Sequence, residues 1–352
     1  MYNSCIYFVP VKSKYLNKWE YYDVDYKILS KLFDNVYLCN NIFKFIFLIF
    51  KYGKCNLVYC WWWNRSFFIL IICNFLRIKT LVTGAIHFEI GNQFADYNKK
   101  NFLYKIFTKA SLSLSKINCF MSNHQYQEIT TNFSVNNPYL FISSLSTNIT
   151  ISFESLLNFI EKKNQNSYLS ITTIIWHKED QYERKGIYET ISALGLFKKL
   201  GYKFKFIIIG ENGGDVSLLK DRCLQAGIEN SVDLRFNLTK KEKDLLLLES
   251  NIYVQPSNFE GFGNAVLEAM SYGVPAIVSS YTAQAELVLD RDLQVSLITP
   301  QNILEKLLII NKELGQKDYI NRCIKNYNYA IKNYSIDIRS KNLFDILKGN
   351  GI

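Results

Sequence analysis

Short apolar runs alternate with stretches of helical period along the whole chain. Residues 5–9, 36–39, 56–62, 80–87 and 118–122 form apolar runs of strand length, and helical patterns lie between them. Strands separated by helices predict a parallel sheet covered on both faces. A second series of the same kind follows, with strands expected at 169–176, 204–210, 232–236, 252–255 and 276–279 and helices such as 186–200 and 240–250 between them. The polar stretch 161–167 (EKKNQNS) reads as the linker between the two series. The pattern predicts an α/β chain of two doubly wound, Rossmann-like domains facing each other across a cleft, over residues 1–163 and 164–352. The last helix is a candidate to pack back on the first domain.

The two most apolar segments, 42–50 and 67–76, fall short of the roughly 20 residues that cross a bilayer and read as buried helices. Leu103, Ile106, Phe107 and Ala110 recur at helical spacing, with Lys105 and Lys109 on another side of the same helix. That segment fits an ordinary helix over a sheet or one lying on a membrane surface.

With 352 residues, 49% of them hydrophobic and 20% charged, the chain is large enough for two cores and too apolar for large-scale disorder. The apolar stretch 5–10 is too short for a secretory signal and runs into Lys12 and Lys14, so a cytoplasmic location is expected. The eight cysteines form no CxxC pair and read as reduced, buried thiols. His87, His124 and His177 are the only histidines, and their spacing signals no metal site.

Charge sharpens the picture once it is divided along the chain. Residues 1–120 hold 16 Lys/Arg and 6 Asp/Glu, a net +10, whereas the remainder holds 25 of each. The entire basic excess therefore belongs to the first third, and by composition it would attract nucleic acid, anionic lipid or phosphorylated substrates.

The segment from Ile252 reads IYVQPSNFEGFGNAVLEAMSYGVPAIVSS: a strand, a glycine-containing loop, a helix from about Asn264 ended by Gly273 and Pro275, and another strand. Val266, Ala269 and Met270 should pack on the sheet. Glu268 lies about 200° around the helix from Val266 and so points away from the core. Glu260 sits in the loop before the helix. The backbone of Gly261, Phe262, Gly263 and Asn264, at the positive end of that helix, suits a phosphate, and a carboxylate accepts two hydroxyl hydrogen bonds from a ribose diol or a hexose. Glu268 would then hold ribose and Glu260 the sugar.

Here the chain resembles the family 4 retaining glycosyltransferases of GT-B fold, whose pattern PSxxEGFGxxxxEAMxxGxP is matched at every fixed letter from Pro256 to Pro275. The resemblance implies that the position of Glu268 binds ribose, that of Glu260 the transferred sugar, and that Lys185, followed by Gly186, neutralises the departing phosphate. Where the family carries an arginine shortly before that lysine, this chain has Trp176-His177-Lys178, which leaves Lys178 or Arg184 as the replacement. His87 corresponds to a histidine that the family frequently places beside the reacting sugar; a hydrogen-bonded loop histidine is the other reading. The chain departs from the family in lacking an early glycine-rich loop, with Val11-Lys12-Ser13-Lys14 instead, and in having Tyr281-Thr282-Ala283 where a glycine pair often stands.

The implied activity is metal-independent, retaining transfer of a hexose from a nucleoside-diphosphate sugar, a UDP-sugar ahead of a GDP-sugar, with no cofactor. The implied acceptor is a hydroxyl on a lipid-linked or growing glycan. With Lys99, Lys100, Lys105 and Lys109 set beside Phe102, Leu103, Ile106 and Phe107, the basic first third is expected to hold the chain at the cytoplasmic face of an anionic membrane, with no role for nucleic acid. A sugar-nucleotide epimerase of the same architecture and a catalytically silent member of a glycan-assembly complex are the alternatives.

Overall fold

The computed structural model describes residues 2–11, 20–84, 93, 96–142, 151–211 and 214–352. In chain order they form β1 (Tyr2–Phe8), α1 (Glu20–Leu32), β2 (Phe33–Cys39), α2 (Ile42–Tyr52), β3 (Leu57–Trp61), α3 (Trp63–Leu76), β4 (Lys79–Thr83), α4 (Asp96–Lys99), α5 (Phe102–Leu114), β5 (Ile117–Phe120), α6 (Asn123–Asn132) and β6 (Pro138–Leu140). The second series is α7 (Phe153–Asn164), β7 (Leu169–Trp176), α8 (Glu179–Arg184), α9 (Ile187–Lys199), β8 (Phe204–Glu211), α10 (Ser217–Gln225), β9 (Val232–Phe236), α11 (Lys240–Glu249), β10 (Ile252–Gln255), α12 (Asn264–Ser271), β11 (Ala276–Ser279) and β12 (Gln294–Val295). Three helices close the chain: α13 (Pro300–Glu313), α14 (Lys317–Tyr334) and α15 (Ile336–Gly349).

These elements fall into two compact units, Met1–Asn148 with Tyr334–Ile352, and Ile149–Asn333. Each is built on a parallel six-stranded sheet, as the alternating pattern predicts.

In the first unit the strand order is β2-β1-β3-β4-β5-β6. Strand residues alternate between two cores, the period-2 rule of a sheet covered on both faces. Tyr7, Tyr59, Trp61, Leu81 and Cys119 face Val24 and Ile28 of α1 and Leu343 and Leu347 of α15. Ile6, Phe8, Val58, Cys60 and Val82 face Phe45 and Leu48 of α2, Ile69, Leu70 and Cys73 of α3, and Leu112 of α5. The last helix is fixed here by a closed polar network: Arg339 Nε donates to Asp25 Oδ1 at 2.9 Å, Arg339 Nη1 to the Ile142 carbonyl at 2.6 Å, and the Tyr59 hydroxyl to Asp25 Oδ2 at 2.6 Å. Buried charges persist only when paired in this way.

In the second unit the order is β12-β11-β10-β7-β8-β9, so the direction of winding reverses between β10 and β7. Ligands of doubly wound sheets bind beyond the carboxyl ends of the strands at such a reversal.

Three expectations change. Residues 161–164 are not a linker but the last turn of α7, which belongs to the second unit, so the division falls at 148/149 instead of 163/164. The polar letters misled because they are used inside the fold. Asn251 donates to the Lys163 carbonyl at 2.9 Å, and Asn164 Oδ1 accepts from the Gly315 amide at 2.8 Å. Second, α2 and α3, read as buried helices, bury one side only, leaving Phe43, Phe47, Phe50, Phe68, Ile71 and Phe75 exposed. Third, of the two readings of α5, the one that packs its apolar stripe on the sheet is not what is observed. The helix buries Thr108, Ser111 and Leu112 and exposes Leu103 and Ile106, because small residues let it lie close to α3, where Phe67 stacks on Phe107 at 4.6 Å.

Candidate active site

At the switch point Glu260 meets Arg184 and, through Gln255, Lys185. Strand β10 ends at Gln255, and the chain then turns through Pro256 to Glu260. Strand β7 ends beside it, and the helix after β7 delivers Arg184 and Lys185.

Two features lock these segments together. The Asn258 amide donates to the Arg184 carbonyl at 2.7 Å, and the Asn258 side chain donates to the Glu183 carbonyl at 3.1 Å. Gly186 has φ of +65°, and a Cβ on it would lie 2.3 Å from the Pro256 carbonyl oxygen. Only glycine permits both the left-handed conformation and that approach. The Lys185-Gly186 pair is therefore a packing requirement of the loop that carries Glu260.

At the centre lies Gln255, which the sequence reading passed over. Its Oε1 accepts from Lys185 Nζ at 3.3 Å and from the Tyr253 hydroxyl at 2.6 Å, and its Nε2 donates to Glu260 Oε2 at 3.3 Å. Lys185 Nζ also donates to the Ile174 carbonyl at 3.3 Å. Arg184 Nη1 donates to the Phe259 carbonyl at 2.8 Å and reaches Glu260 Oε2 at 3.4 Å. Desolvation pushes the Lys185 ammonium down to about 8, with the Glu260 carboxylate opposing and the Arg184 charge reinforcing the fall.

Of the two cations considered for the missing arginine, Arg184 is the one brought to Glu260. Lys178 is exposed and sits over the Trp176 ring, 5.7 Å from its centroid.

Helix α12 starts at Asn264 behind Gly263, which has φ of +111° and no side chain to cap the helix. A Cβ on Gly263 would lie 2.9 Å from Gln284 Cγ. Gly261 and Phe262 are buried and Asn264 is exposed. Val266, Ala269 and Met270 are buried against the sheet as expected, and Glu268 turns away from it. Its partner is one the sequence did not reveal: Lys243 Nζ lies 2.6 Å from Glu268 Oε1, with Lys240 Nζ at 3.9 Å. The capping box of Thr239 and Glu242 starts α11 so that Lys240 and Lys243, three residues apart, share one face.

Gln284 is fully buried, and neither atom of its amide has a hydrogen-bond partner among the described residues. Such a group beside the α12 start is a candidate donor to a bound phosphate. His87 lies outside the described residues, as do Lys12, Ser13 and Lys14. Among the described residues no cluster of three or more His, Cys, Asp or Glu is arranged to hold a metal.

The arrangement thus offers two carboxylates, two cations and a helix start at the switch point, a set suited to an anionic, polyhydroxylated ligand. Residues 161–328 match the family profile described as Glycosyl transferases group 1. Through this segment the chain is similar to the glycosyl transferases group 1 family. Among its relatives, the GDP-mannose:cellobiosyl-diphosphopolyprenol alpha-mannosyltransferase of Xanthomonas oryzae is 31% identical over 96 residues, 27% of this chain and 25% of that protein. The capsular polysaccharide biosynthesis glycosyltransferase CapM of Staphylococcus aureus is 28% identical over 175 residues, 47% of this chain and 43% of that one. The chain thus spans between a quarter and under half of the length of these curated relatives. Over the whole chain the fold is that of GT-B glycosyltransferases. Sucrose-phosphate synthase of Thermosynechococcus elongatus aligns with a TM-score of 0.75 at 13% identity, covering 99% of this chain and 98% of that one. Anabaena HepE, solved with UDP and glucose, aligns with a TM-score of 0.71 at 13% identity, covering 99% and 100%.

Proposed function

We propose that this chain is a group 1 glycosyltransferase that moves a hexose from a nucleoside-diphosphate sugar to a hydroxyl of a lipid-linked or growing glycan, with retained anomeric configuration and no metal. The observation that carries the reading is the junction of Lys185, Arg184, Gln255 and Glu260 at the switch point, enforced by the contact of Gly186 with Pro256.

In this reading Glu268 accepts the ribose hydroxyls, Glu260 binds the hexose, and the segment Gly261 to Asn264 with the α12 start holds the diphosphate. Lys185 and Arg184 neutralise charge on the departing phosphate. The bond from the anomeric carbon to the phosphate oxygen breaks, and the bond to the acceptor oxygen forms on the same face of the sugar. The acceptor proton passes to the departing phosphate. Positioned cations and amides that meet developing charge supply the main rate gain. A UDP-sugar is the first donor to test and a GDP-sugar the second, since HepE was solved with UDP and glucose and the Xanthomonas relative is named for GDP-mannose.

The acceptor reading places the enzyme at the cytoplasmic membrane face, supported by the +10 charge of residues 1–120 and by the exposed Lys99, Lys100 and Lys109 beside Phe102 and Leu103. Among the described residues no helix is long and apolar enough to cross a membrane. Changing Lys99, Lys100, Lys105 and Lys109 to Gln should reduce sedimentation with anionic vesicles; unchanged binding would remove these lysines from the account.

The deciding experiment is incubation with a panel of nucleoside-diphosphate sugars without acceptor. Slow release of free sugar supports transfer, an epimerised donor identifies an epimerase, and an unaltered, unbound panel indicates a silent partner. Thermal stabilisation by the nucleoside diphosphates identifies the base, since a ligand that binds only the folded state raises the midpoint.

A further inference from the structure

The outward faces of α2, α3 and α5 break the usual rule for helices that cover a sheet. Their inner sides form one continuous core with the strands, and solvent should therefore meet polar residues on the other side. Instead, Phe43, Phe47 and Phe50 line the outer side of α2 at positions i, i+4 and i+7, with Phe43 80% and Phe50 85% exposed. Phe68, Ile71 and Phe75 do the same on α3, where Phe75 is 87% exposed. On α5 the outward residues are Phe102, Leu103 and Ile106, with Phe102 75% exposed. The rings of Phe67 and Phe68 contact Phe107, so α3 and α5 carry a continuous patch. An exposed patch of this extent is rare on a protein that stays free in water.

Its charge is one-sided. Residues 35–88 contain no Asp or Glu, nor do residues 97–127, so α2, α3 and α5 carry no carboxylate at all. Lys44, Lys51 and Lys109 lie exposed on these helices, and Lys51 Nζ sits 5.1 Å from the Tyr52 ring centroid and 5.8 Å from that of Phe47, whereas Arg65 at the start of α3 donates to the Pro10 carbonyl at 2.6 Å. A patch made for a second protein chain would be expected to meet both signs of charge at its rim. Aromatic and aliphatic side chains with cations alone match the boundary between acyl chains and anionic headgroups.

We infer that α2, α3 and α5 insert their outer faces into an anionic bilayer leaflet, with the phenylalanines reaching the acyl boundary and the lysines engaging lipid phosphates. This rests on the membrane-face reading above but not on the donor chemistry. It also changes what that reading expects, because a surface held by lysines alone would be released by salt. Insertion of apolar area resists it, since screening acts on charges and leaves burial of rings intact.

The test is flotation of the full chain with vesicles of phosphatidylcholine alone and of phosphatidylcholine mixed with phosphatidylglycerol, in low salt and in about 1 M NaCl, where the Debye length is about 3 Å. The intact protein should stay on the anionic vesicles after the salt shift. Replacing Phe43, Phe50, Phe75 and Phe102 together by Ser should lower partitioning about a hundredfold or more. Its melting temperature should hold, because all four side chains are exposed. Replacing Lys44, Lys51 and Lys109 by Gln should remove the preference for the anionic vesicles while leaving a salt-resistant fraction. Complete release of the intact protein by salt, or unaltered binding by the serine variant, overturns the inference. So does a protein that ignores vesicles but forms a dimer that the serine variant cannot form. Nucleoside-diphosphate binding, measured by thermal shift on the same samples, separates the two readings: vesicle insertion without nucleotide binding leaves this inference standing and removes the donor site.

Discussion

The switch point of the second sheet and the outer surface of the first unit are both unusual, but they differ in how their chemistry is written. At the switch point, a short segment carries polar residues at fixed spacing, and the fold locks them with glycines at Gly186 and Gly263 that admit no other side chain. On α2, α3 and α5, function rests on which way an apolar side chain points, and the same letters serve a core or a membrane. A constellation of charges can be read from spacing, whereas the destination of a hydrophobic face needs the packed neighbours. The predictions follow from that difference, and each strikes one region while sparing the other.

The largest effect should come from Lys185→Ala, which removes a cation next to Gln255 and Glu260 and should lower the rate of transfer by about a hundredfold or more. Steady-state kinetics with donor and acceptor measure it. A loss near twofold would move the role to Arg184.

Gly186→Ala should be the most destabilising single change here, about 2 kcal/mol or more, since it forces both a left-handed backbone and a Cβ against the Pro256 carbonyl. Thermal unfolding should show a lowered midpoint, in contrast to the unaltered midpoint of the serine variant of the first unit. Equal midpoints for the two would erase the contrast.

The pH response has a definite sign. Lys185 is held down to about 8 in the fold, against about 10.5 in the unfolded chain. Between these values the unfolded state binds more protons, so this group's share of stability increases as pH rises through the window. Activity should do the opposite, because only the protonated ammonium neutralises phosphate, and the rate in the free enzyme should decline as pH rises through about 8. Lys185→Arg should shift that decline to higher pH. A profile identical in the two proteins would detach the decline from Lys185.

The smallest effect should come from Lys243→Ala. The Lys243 to Glu268 pair is partly exposed, so its loss should weaken nucleotide binding by no more than about fivefold, by letting the carboxylate swing away from the ribose. Calorimetric titration resolves a change of that size, and tighter binding would mean that Lys243 restrains Glu268 instead of aiming it.

Much of the fold was legible because both sheets are parallel and buried, so their strands stand out as apolar runs. The short edge strands Pro138–Leu140 and Gln294–Val295 carry too few residues for any pattern. Helix α7 was hidden by polar letters that make tertiary hydrogen bonds. In the site, the Glu260 and Glu268 pair stands out because its spacing is local, and Lys185 enters through the resemblance at its Lys-Gly pair. Gln255, Lys243 and Gln284 were not legible, since each acquires its place only when separate segments pack together. The choice between Arg184 and Lys178 depended likewise on the direction that α8 gives each side chain.

The central claim is that Glu268 faces the nucleotide and Glu260 the sugar, and it is tested most directly by titrating free nucleoside diphosphate into Glu268→Ala and Glu260→Ala and measuring turnover of the intact donor by both. The account predicts weakened nucleotide binding for Glu268→Ala, and near-normal nucleotide binding with reduced turnover for Glu260→Ala. Normal binding and full turnover in both variants would contradict it.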